Sequence, residues 1–298
     1  KKQNTFNLIP VLILTFLCSF TIAQDEDDDL GTDKLAQTGM KFLSFSPDAR
    51  AAALGDAITA KQGGASSLFY NPAGMARVEG MNVSFGQTQW IAEISYQAAG
   101  FAYASNAGVL GLSFMSVNYG DLQGAIRSSA ESGYTENGTF SPTATAVGLG
   151  YAFAPTDRFS VGLHVKIASE DLGVATVDAD GGTKKLDMST PAYDFGLMYQ
   201  MDWKNLMLAM SARNFSQSLK YAEEAFELPL TFRMGVSADV ANNLSVSFVN
   251  ERPRDYFTTY RVGLEYSVME MMDIRAGYVT PSDEAGINLG VGFKMAGF

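Results

Sequence analysis

Residues 143–153, Thr-Ala-Thr-Ala-Val-Gly-Leu-Gly-Tyr-Ala-Phe, alternate strictly between larger side chains and alanine or glycine. Residues 159–168 and 230–240 alternate in the same way. Because successive residues of a strand point to opposite faces, this period of two predicts strands with one apolar face and one small or polar face. A soluble sandwich would show the same alternation in shorter strands, whereas strands of roughly ten residues can cross a bilayer.

Twelve such strands are predicted, and the connections between them alternate between short and long. The predicted strands cover about 81–88, 92–104, 108–118, 143–154, 158–168, 190–201, 205–215, 228–239, 243–251, 257–268, 272–280 and 285–296. The longest connections, 119–142 and 169–189, are expected to be loops. This order is typical of an all-β, transmembrane, antiparallel up-and-down barrel, here over 81–298, and it argues against a Greek-key sandwich.

The N-terminus predicts export. Lys1 and Lys2 precede an apolar run that ends in a small-residue cleavage site, so residues 1–23 are expected to be a signal peptide. Residues 24–34 predict an acidic disordered spacer. The one cysteine, Cys18, lies inside the signal peptide, which leaves the mature chain without thiol chemistry. These features predict that the protein lies in the outer membrane of a Gram-negative cell, in contact with outer-membrane lipid.

The net charge excludes one class of partner. It is −11 for the chain and −13 once the two N-terminal lysines are removed. Nucleic-acid binding, which needs a basic face, is therefore not expected.

Residues 35–80 predict a short structured segment before the barrel. Ser46 suits a helix N-cap, Pro47 the first helical position and Asp48 the positive end of the helix dipole, so a helix is expected from about 47 to 54. Residues 71–74, Asn-Pro-Ala-Gly, predict a turn that redirects the chain into the first strand.

Two stretches of this segment resemble a known family. Residues 35–60 (LAQTGMKFLSFSPDARAAALGDAITA) and 65–76 (ASSLFYNPAGMA) are similar to the start of PorV/PorQ-family outer-membrane proteins, relatives of the FadL fatty-acid transporters, and residues 90–96 resemble the family's second-strand region. The resemblance implies a FadL-like barrel of typically about fourteen strands, with the N-terminal segment inside the lumen. It also implies that a lumen plug contains Pro47, Asp48, Arg50, Asn71, Pro72, Ala73 and Gly74. Twelve strands would fit a truncated chain, but Phe298 could equally be a genuine terminal barrel-assembly signal.

The charged residues of the predicted strands occupy the alternate positions that would face the lumen. The lumen-facing polar residues are expected to be His164, Lys166, Asp194, Arg213, Arg233, Arg261, Glu265 and Arg275, because a charge in lipid costs a few kcal/mol. His164 is the one histidine, and Ser160 and Asp194 could face the same lumen, as a nucleophilic site would require. We interpret His164 as an ordinary lumen residue and predict no catalytic residue, cofactor or metal site.

Two functions follow from this interpretation. The first, implied by the resemblance, is a non-enzymatic component of type IX protein secretion that binds the secretion translocon or exported cargo proteins at the cell surface. The alternative is a FadL-like channel for a hydrophobic ligand, which predicts an apolar pocket beside the plug. An outer-membrane hydrolase has no motif to support it. A barrel fold alone does not choose among these functions.

Overall fold

The computed structural model describes residues 37–129, 131–176, 183–220, 225–282 and 286–294. The predicted signal peptide (1–23) and acidic spacer (24–34) lie outside the described residues. Within the described ranges, no helix has the length and apolar character needed to span a membrane.

Sixteen strands are described, twelve of which form one antiparallel sheet. They are β1 Met81–Gln89, β2 Ser95–Ser105, β3 Gly108–Asn118, β4 Leu122–Arg127, β5 Tyr134–Phe140, β6 Thr143–Phe153, β7 Phe159–Thr176, β8 Thr183–Gln200, β9 Met207–Phe215, β10 Leu219–Lys220, β11 Ala225–Phe226, β12 Thr231–Ala241, β13 Leu244–Pro253, β14 Thr259–Val268, β15 Met272–Thr280 and β16 Ile287–Phe293. The order in the main sheet is β1-β2-β3-β6-β7-β8-β9-β12-β13-β14-β15-β16. Neighbouring strands therefore follow each other along the chain, as the predicted up-and-down topology requires, and the predicted fold class is confirmed.

The expectation that 119–142 and 169–189 are loops was wrong in part. Strands β4 and β5 pair as a separate hairpin inside the first of them. In the second, β7 and β8 continue their pairing to Thr176 and Thr183, past a bulge between Asp171 and Val174. Every residue of β5 is exposed. A strand with no buried face has no apolar period of two, so this hairpin left no signal in the sequence.

The segment before β1 consists of short helical turns. Helix α1 is Ala49–Ala53, and 3-10 helices cover Lys41–Ser44, Gly64–Phe69 and Pro72–Met75; a further one, Trp203–Asn205, lies between β8 and β9. The N-cap of α1 is Asp48, whose carboxylate accepts a hydrogen bond from the Arg50 amide, so the predicted cap at Ser46 was wrong. Ser46 instead hydrogen-bonds the Tyr70 hydroxyl at 2.7 Å.

The main sheet has one apolar outer face. Large aliphatic and aromatic side chains alternate along the strands and remain exposed, among them Leu112, Val147, Leu149, Phe195, Phe232 and Leu264. An apolar surface of this extent is not stable in water. Charged groups occupy the alternate positions on the inner face, which suits a sheet surrounded by lipid.

The inner face is lined by glycines where the N-terminal segment crosses it. Ten strands of the main sheet each place a glycine so close to residues 47–75 that a β-carbon there would meet them within 3.2 Å. This inner glycine ring consists of Gly86, Gly100, Gly111, Gly150, Gly162, Gly196, Gly235, Gly263, Gly277 and Gly290. The segment therefore packs directly on the wall at ten of the twelve strands, and residues 38–75 are called the plug below.

Helix α1 and the residue before its N-cap contact the two edge strands of the sheet. A β-carbon at Gly86 of β1 would lie 2.2 Å from the Pro47 carbonyl oxygen, and one at Gly290 of β16 would lie 2.4 Å from the Ala53 β-carbon. Among the described residues no strand pairing joins β1 to β16. The plug is thus the element that touches both edge strands.

Candidate functional site

The Asn-Pro-Ala-Gly turn is fixed to β8 by one side chain. The Asn71 amide nitrogen donates to the carbonyl oxygens of Thr59, at 3.0 Å, and Leu197, at 3.3 Å. Its amide oxygen accepts from the Ala73 amide, which caps the following 3-10 helix. A β-carbon at Gly196 would lie 1.9 Å from that oxygen. The turn therefore fits a wall position that only glycine leaves open.

A second anchor joins helix α1 to the charged wall of β14 and β15. Arg50 donates to both carboxylate oxygens of Glu265, at 2.9 and 2.8 Å, and Arg275 donates to the same carboxylate at 2.8 Å. Lys61 donates to Ser245 at 2.6 Å and lies 3.8 Å from Glu265.

The two plug cations of this anchor differ in the direction of their pKa shift. Burial acts to lower the pKa of Arg50, but its hydrogen bonds to Glu265 outweigh this and the pKa is raised. Burial lowers the pKa of Lys61.

A third cluster lies on β12, β13 and β14. The Glu251 carboxylate pairs with Arg233 and, at 2.8 Å, with Arg261. Arg261 also donates to the Gly55 carbonyl oxygen at 3.2 Å and lies 3.6 Å from Asp56. Arg261 thus contacts the plug directly, and Glu251 is linked to it through Arg261.

The fourth cluster is centred on His164. Its Nδ1 lies 2.8 Å from the Asp194 carboxylate and its Nε2 lies 2.8 Å from the Ser113 hydroxyl. Lys166 donates to both oxygens of Asp194, at 2.9 and 2.8 Å, and the Asn214 amide donates to it at 2.7 Å. All of these side chains are buried.

The plug fills an apolar chamber at the end of the sheet that carries the long connections. Met40, Phe42 and Leu43 of the plug pack there against wall residues, which are Tyr96, Met115, Val117, Ala144, Ala146, Ala168, Ala192 and Leu228. The floor of this apolar chamber is polar, because Lys166 and Arg213 line the space under Leu43. Arg213 donates to the Leu43 carbonyl oxygen at 3.1 Å. The space that remains is about 10 Å³, which is room for about one water molecule.

The plug is held in the chamber by a latch and a stack of rings. The latch consists of Thr38, Lys41 and Asp255: Lys41 donates to the Asp255 carboxylate at 2.7 Å and Thr38 hydrogen-bonds it. Burial acts to raise the pKa of Asp255, but these two partners outweigh it and the pKa is lowered. The Phe45 ring stacks on Tyr96 at 3.8 Å between centroids and meets Trp90 edge-on at 5.2 Å.

The structure places the sequence-predicted residues in these groups. Pro47, Asp48, Arg50 and the 71–74 turn lie in the plug and contact the wall. The eight expected lumen residues lie on the inner face: His164, Lys166, Asp194, Arg213 and Arg233 are buried, and Arg261, Glu265 and Arg275 are half-buried.

Sequence reasoning missed some partners of these residues. Ser113, rather than Ser160, is the serine that meets His164. Glu251 and Asp273 were also missed, although both have the inner-face parity of their strands. That parity was the signal that could have found them.

Comparison with solved structures identifies the fold as that of FadL-like barrels. The toluene transporter TodX of Pseudomonas putida is similar at a TM-score of 0.58 and 12% identity, with 83% of this chain and 89% of that chain covered. The toluene transporter TbuX of Ralstonia pickettii is similar at a TM-score of 0.54 and 16% identity, with 84% of this chain and 90% of that chain covered. A Pseudomonas aeruginosa FadL homologue is similar at a TM-score of 0.55 and 11% identity, with 84% of this chain and 86% of that chain covered.

The sequence matches no protein-family model and no curated protein. At identities of 11 to 16% the structural likeness establishes the fold alone. Two of these three proteins are toluene transporters.

Proposed function

We propose that the protein is an outer-membrane channel for a hydrophobic small molecule, gated by its own N-terminal plug. The observation that carries this proposal is the apolar chamber, which is filled by Met40, Phe42 and Leu43 of the same chain. Side chains that fill a chamber of this character occupy the place that an apolar ligand would take. The FadL-like fold, shared with two toluene transporters, supports the same proposal.

The ligand enters only when the plug moves. With the plug in place the free space holds about one water molecule, which is far below the volume of a small hydrocarbon. Withdrawal of residues 38–45 would break the latch and the Phe45 stack and leave Tyr96, Met115 and Val117 to line the emptied chamber. These contacts are few compared with those of residues 47–75, so this part of the plug is expected to open first.

The test is uptake of a labelled aromatic hydrocarbon by outer-membrane vesicles that carry the protein. Met115→Trp fills the apolar chamber from the wall side and is expected to lower uptake at least tenfold. Phe114→Trp is the matched control, because Phe114 lies next to it on β3 but on the exposed outer face, and uptake should be unchanged. Uptake no faster than in vesicles without the protein would refute the proposal.

A second candidate function is a component of type IX secretion. It is supported by the resemblance of residues 35–60 and 65–76 to the PorV/PorQ family and by the surface at the long-connection end. The β4–β5 hairpin and the β1–β2 connection extend from that end and expose Tyr134 and Ile91. Affinity capture of the detergent-solubilised protein from its own outer membrane, followed by mass spectrometry, separates the two. Recovery of a large translocon barrel, or of exported proteins that share a C-terminal domain, would favour secretion.

A further inference from the structure

Ser113, His164 and Asp194 form a hydrogen-bonded row across three strands of the inner face. The Ser113 hydroxyl lies 2.8 Å from Nε2 of His164, and Nδ1 lies 2.8 Å from the Asp194 carboxylate. A carboxylate held by Lys166 and the Asn214 amide only accepts, so Nδ1 carries the proton and Nε2 accepts from the serine. This is the arrangement of nucleophile, base and orienting acid that defines a serine hydrolase triad.

The row exists because one position of the intervening strand β6 has no side chain. Gly148 is paired with Ser113 on one side and with Lys166 on the other. A β-carbon there would lie 2.2 Å from Nε2 of His164 and 2.7 Å from the Ser113 hydroxyl. The imidazole ring of His164 can therefore reach Ser113 across β6 only because residue 148 is a glycine.

The serine and the histidine line the space of about 10 Å³ that remains between the plug and the wall. The same cavity is lined by Met115 and Ala146, by plug residues and by Arg213. Arg213 is buried, and its Nε has no hydrogen-bond partner among the described residues. An unpartnered guanidinium N–H that lines the same cavity as a serine nucleophile can stabilise the negative charge that develops on a carbonyl oxygen.

We propose that Ser113 is the nucleophile of an ester hydrolase site whose substrates are esters of small apolar carboxylic acids. Ser113 Oγ attacks the ester carbonyl carbon as its proton passes to Nε2 of His164, and the carbonyl electron pair moves to the oxygen beside Arg213. Collapse expels the alcohol, which takes the proton from His164. Water then repeats the sequence on the acyl-serine and releases the carboxylic acid. Asp194 keeps its hydrogen bond to Nδ1 throughout and orients the ring.

The plug controls access to this site. Leu43 covers the cavity, and its carbonyl oxygen accepts a hydrogen bond from the Arg213 guanidinium. An ester fits only after residues 38–45 withdraw, and the same movement frees Arg213. The acyl group would then lie against Met115 and Ala146, which sets the preference for an apolar acid. This activity does not depend on whether the protein transports a hydrocarbon.

The experiment is covalent labelling of the full chain in detergent with a short-chain alkyl fluorophosphonate. Attack by Ser113 on phosphorus expels fluoride and leaves a phosphonyl-serine, which peptide mass spectrometry locates. We expect one adduct, on the peptide that contains Ser113. Labelling should be faster in Leu43→Ala, which uncovers the cavity, absent in Ser113→Ala, and at least about 100-fold slower in His164→Gln, which lacks the general base.

Ser160→Ala is the matched control, because Ser160 is a buried serine of the same face outside the row, and it should label like the wild type. Hydrolysis of p-nitrophenyl butyrate by the Leu43→Ala variant, measured with and without Ser113→Ala, gives a second readout if His164→Gln does not fold. An absence of adduct at Ser113 in both wild type and Leu43→Ala would overturn the proposal. An adduct that forms equally fast in folded His164→Gln would overturn it too, because the row would then be a structural hydrogen-bond network only.

Discussion

Gly277→Ala is expected to loosen the plug without changing the strand that carries the substitution. A β-carbon at this position would lie 2.1 Å from the Gly55 nitrogen and 2.2 Å from the Leu54 carbonyl carbon. Both are backbone atoms, which no side-chain rotation can move away. The plug must therefore retreat from β15 by roughly 1 Å to restore ordinary van der Waals contact.

The magnitude follows from two terms. Overpacking of a closely fitted contact costs about 1–3 kcal/mol. The same retreat strains the hydrogen bond that Arg261 donates to the Gly55 carbonyl oxygen, and a bond from a charged donor contributes about 1.5–3 kcal/mol when fully formed. With part of that bond lost, the expected free-energy cost is about 2–4 kcal/mol. The fraction of molecules with a released plug should rise by roughly 30- to 700-fold.

Trypsin cleavage after Arg50 and Lys61 measures that fraction, because both side chains are engaged with the wall in the closed plug. When opening and closing are fast, the cleavage rate is proportional to the open population. Ala276→Val is the matched control, since residue 276 lies on the opposite face of β15, and it should change the rate less than about threefold. A rate in Gly277→Ala equal to that of the control would refute the claim that the plug is fitted against backbone here.

Three further predictions concern the other anchors. The pKa of Asp255 is lowered by its latch partners, so its carboxylate stabilises the closed plug at pH values above the ordinary carboxyl pKa of about 4. This stabilisation is lost as the pH falls through the lowered pKa. Acid should therefore change Trp90 emission in the wild type and not in Asp255→Asn. Glu265→Gln removes the charged acceptor of Arg50 and should raise tryptic cleavage of the plug about tenfold, since this pair is only partly shielded from solvent. Gly148→Ala should displace the histidine ring from the serine and abolish fluorophosphonate labelling, while the plug resists trypsin as before.

Each of these predictions has its own control. Acid-induced emission changes that persist in Asp255→Asn would assign them to another group. Glu270→Gln removes a carboxylate from the exposed β14–β15 turn and should leave cleavage unchanged. Labelling that survives in Gly148→Ala would mean that the ring reaches the serine by another path.

The topology of the main sheet could be predicted because its outer face is continuous. Strands such as β6 alternate between exposed Val147 or Leu149 and small inner residues, which gives a period of two that no helix shares. The hairpin β4–β5 could not be predicted in this way, since it is held by cross-strand pairing alone and buries almost nothing. The predicted end of β7 and the predicted start of β8 were displaced by eight and seven residues, because pairing continues there beyond the apolar belt.

The parity of the strands also placed charged residues on the inner face, but it does not say which of them meet. Asp194 and His164 lie on neighbouring strands, so their pairing depends on the register of β7 against β8. Ser113 meets the same histidine from two strands away, across a glycine, and a contact of that kind has no signature in a single sequence. Ser160 shares the buried face of β7 with His164, as the sequence suggested, but parity alone does not show that Ser113 is the serine that bonds the ring.

The inner glycine ring has a consequence for biogenesis. A segment that touches ten strands cannot be added to a finished wall from the side, and its contacts join residues more than 200 positions apart, such as Lys41 and Asp255. Contacts so distant in the chain form late and slowly. The wall must therefore close around a plug that is already inside the lumen. We expect a defect in the plug to appear first as slow or failed insertion.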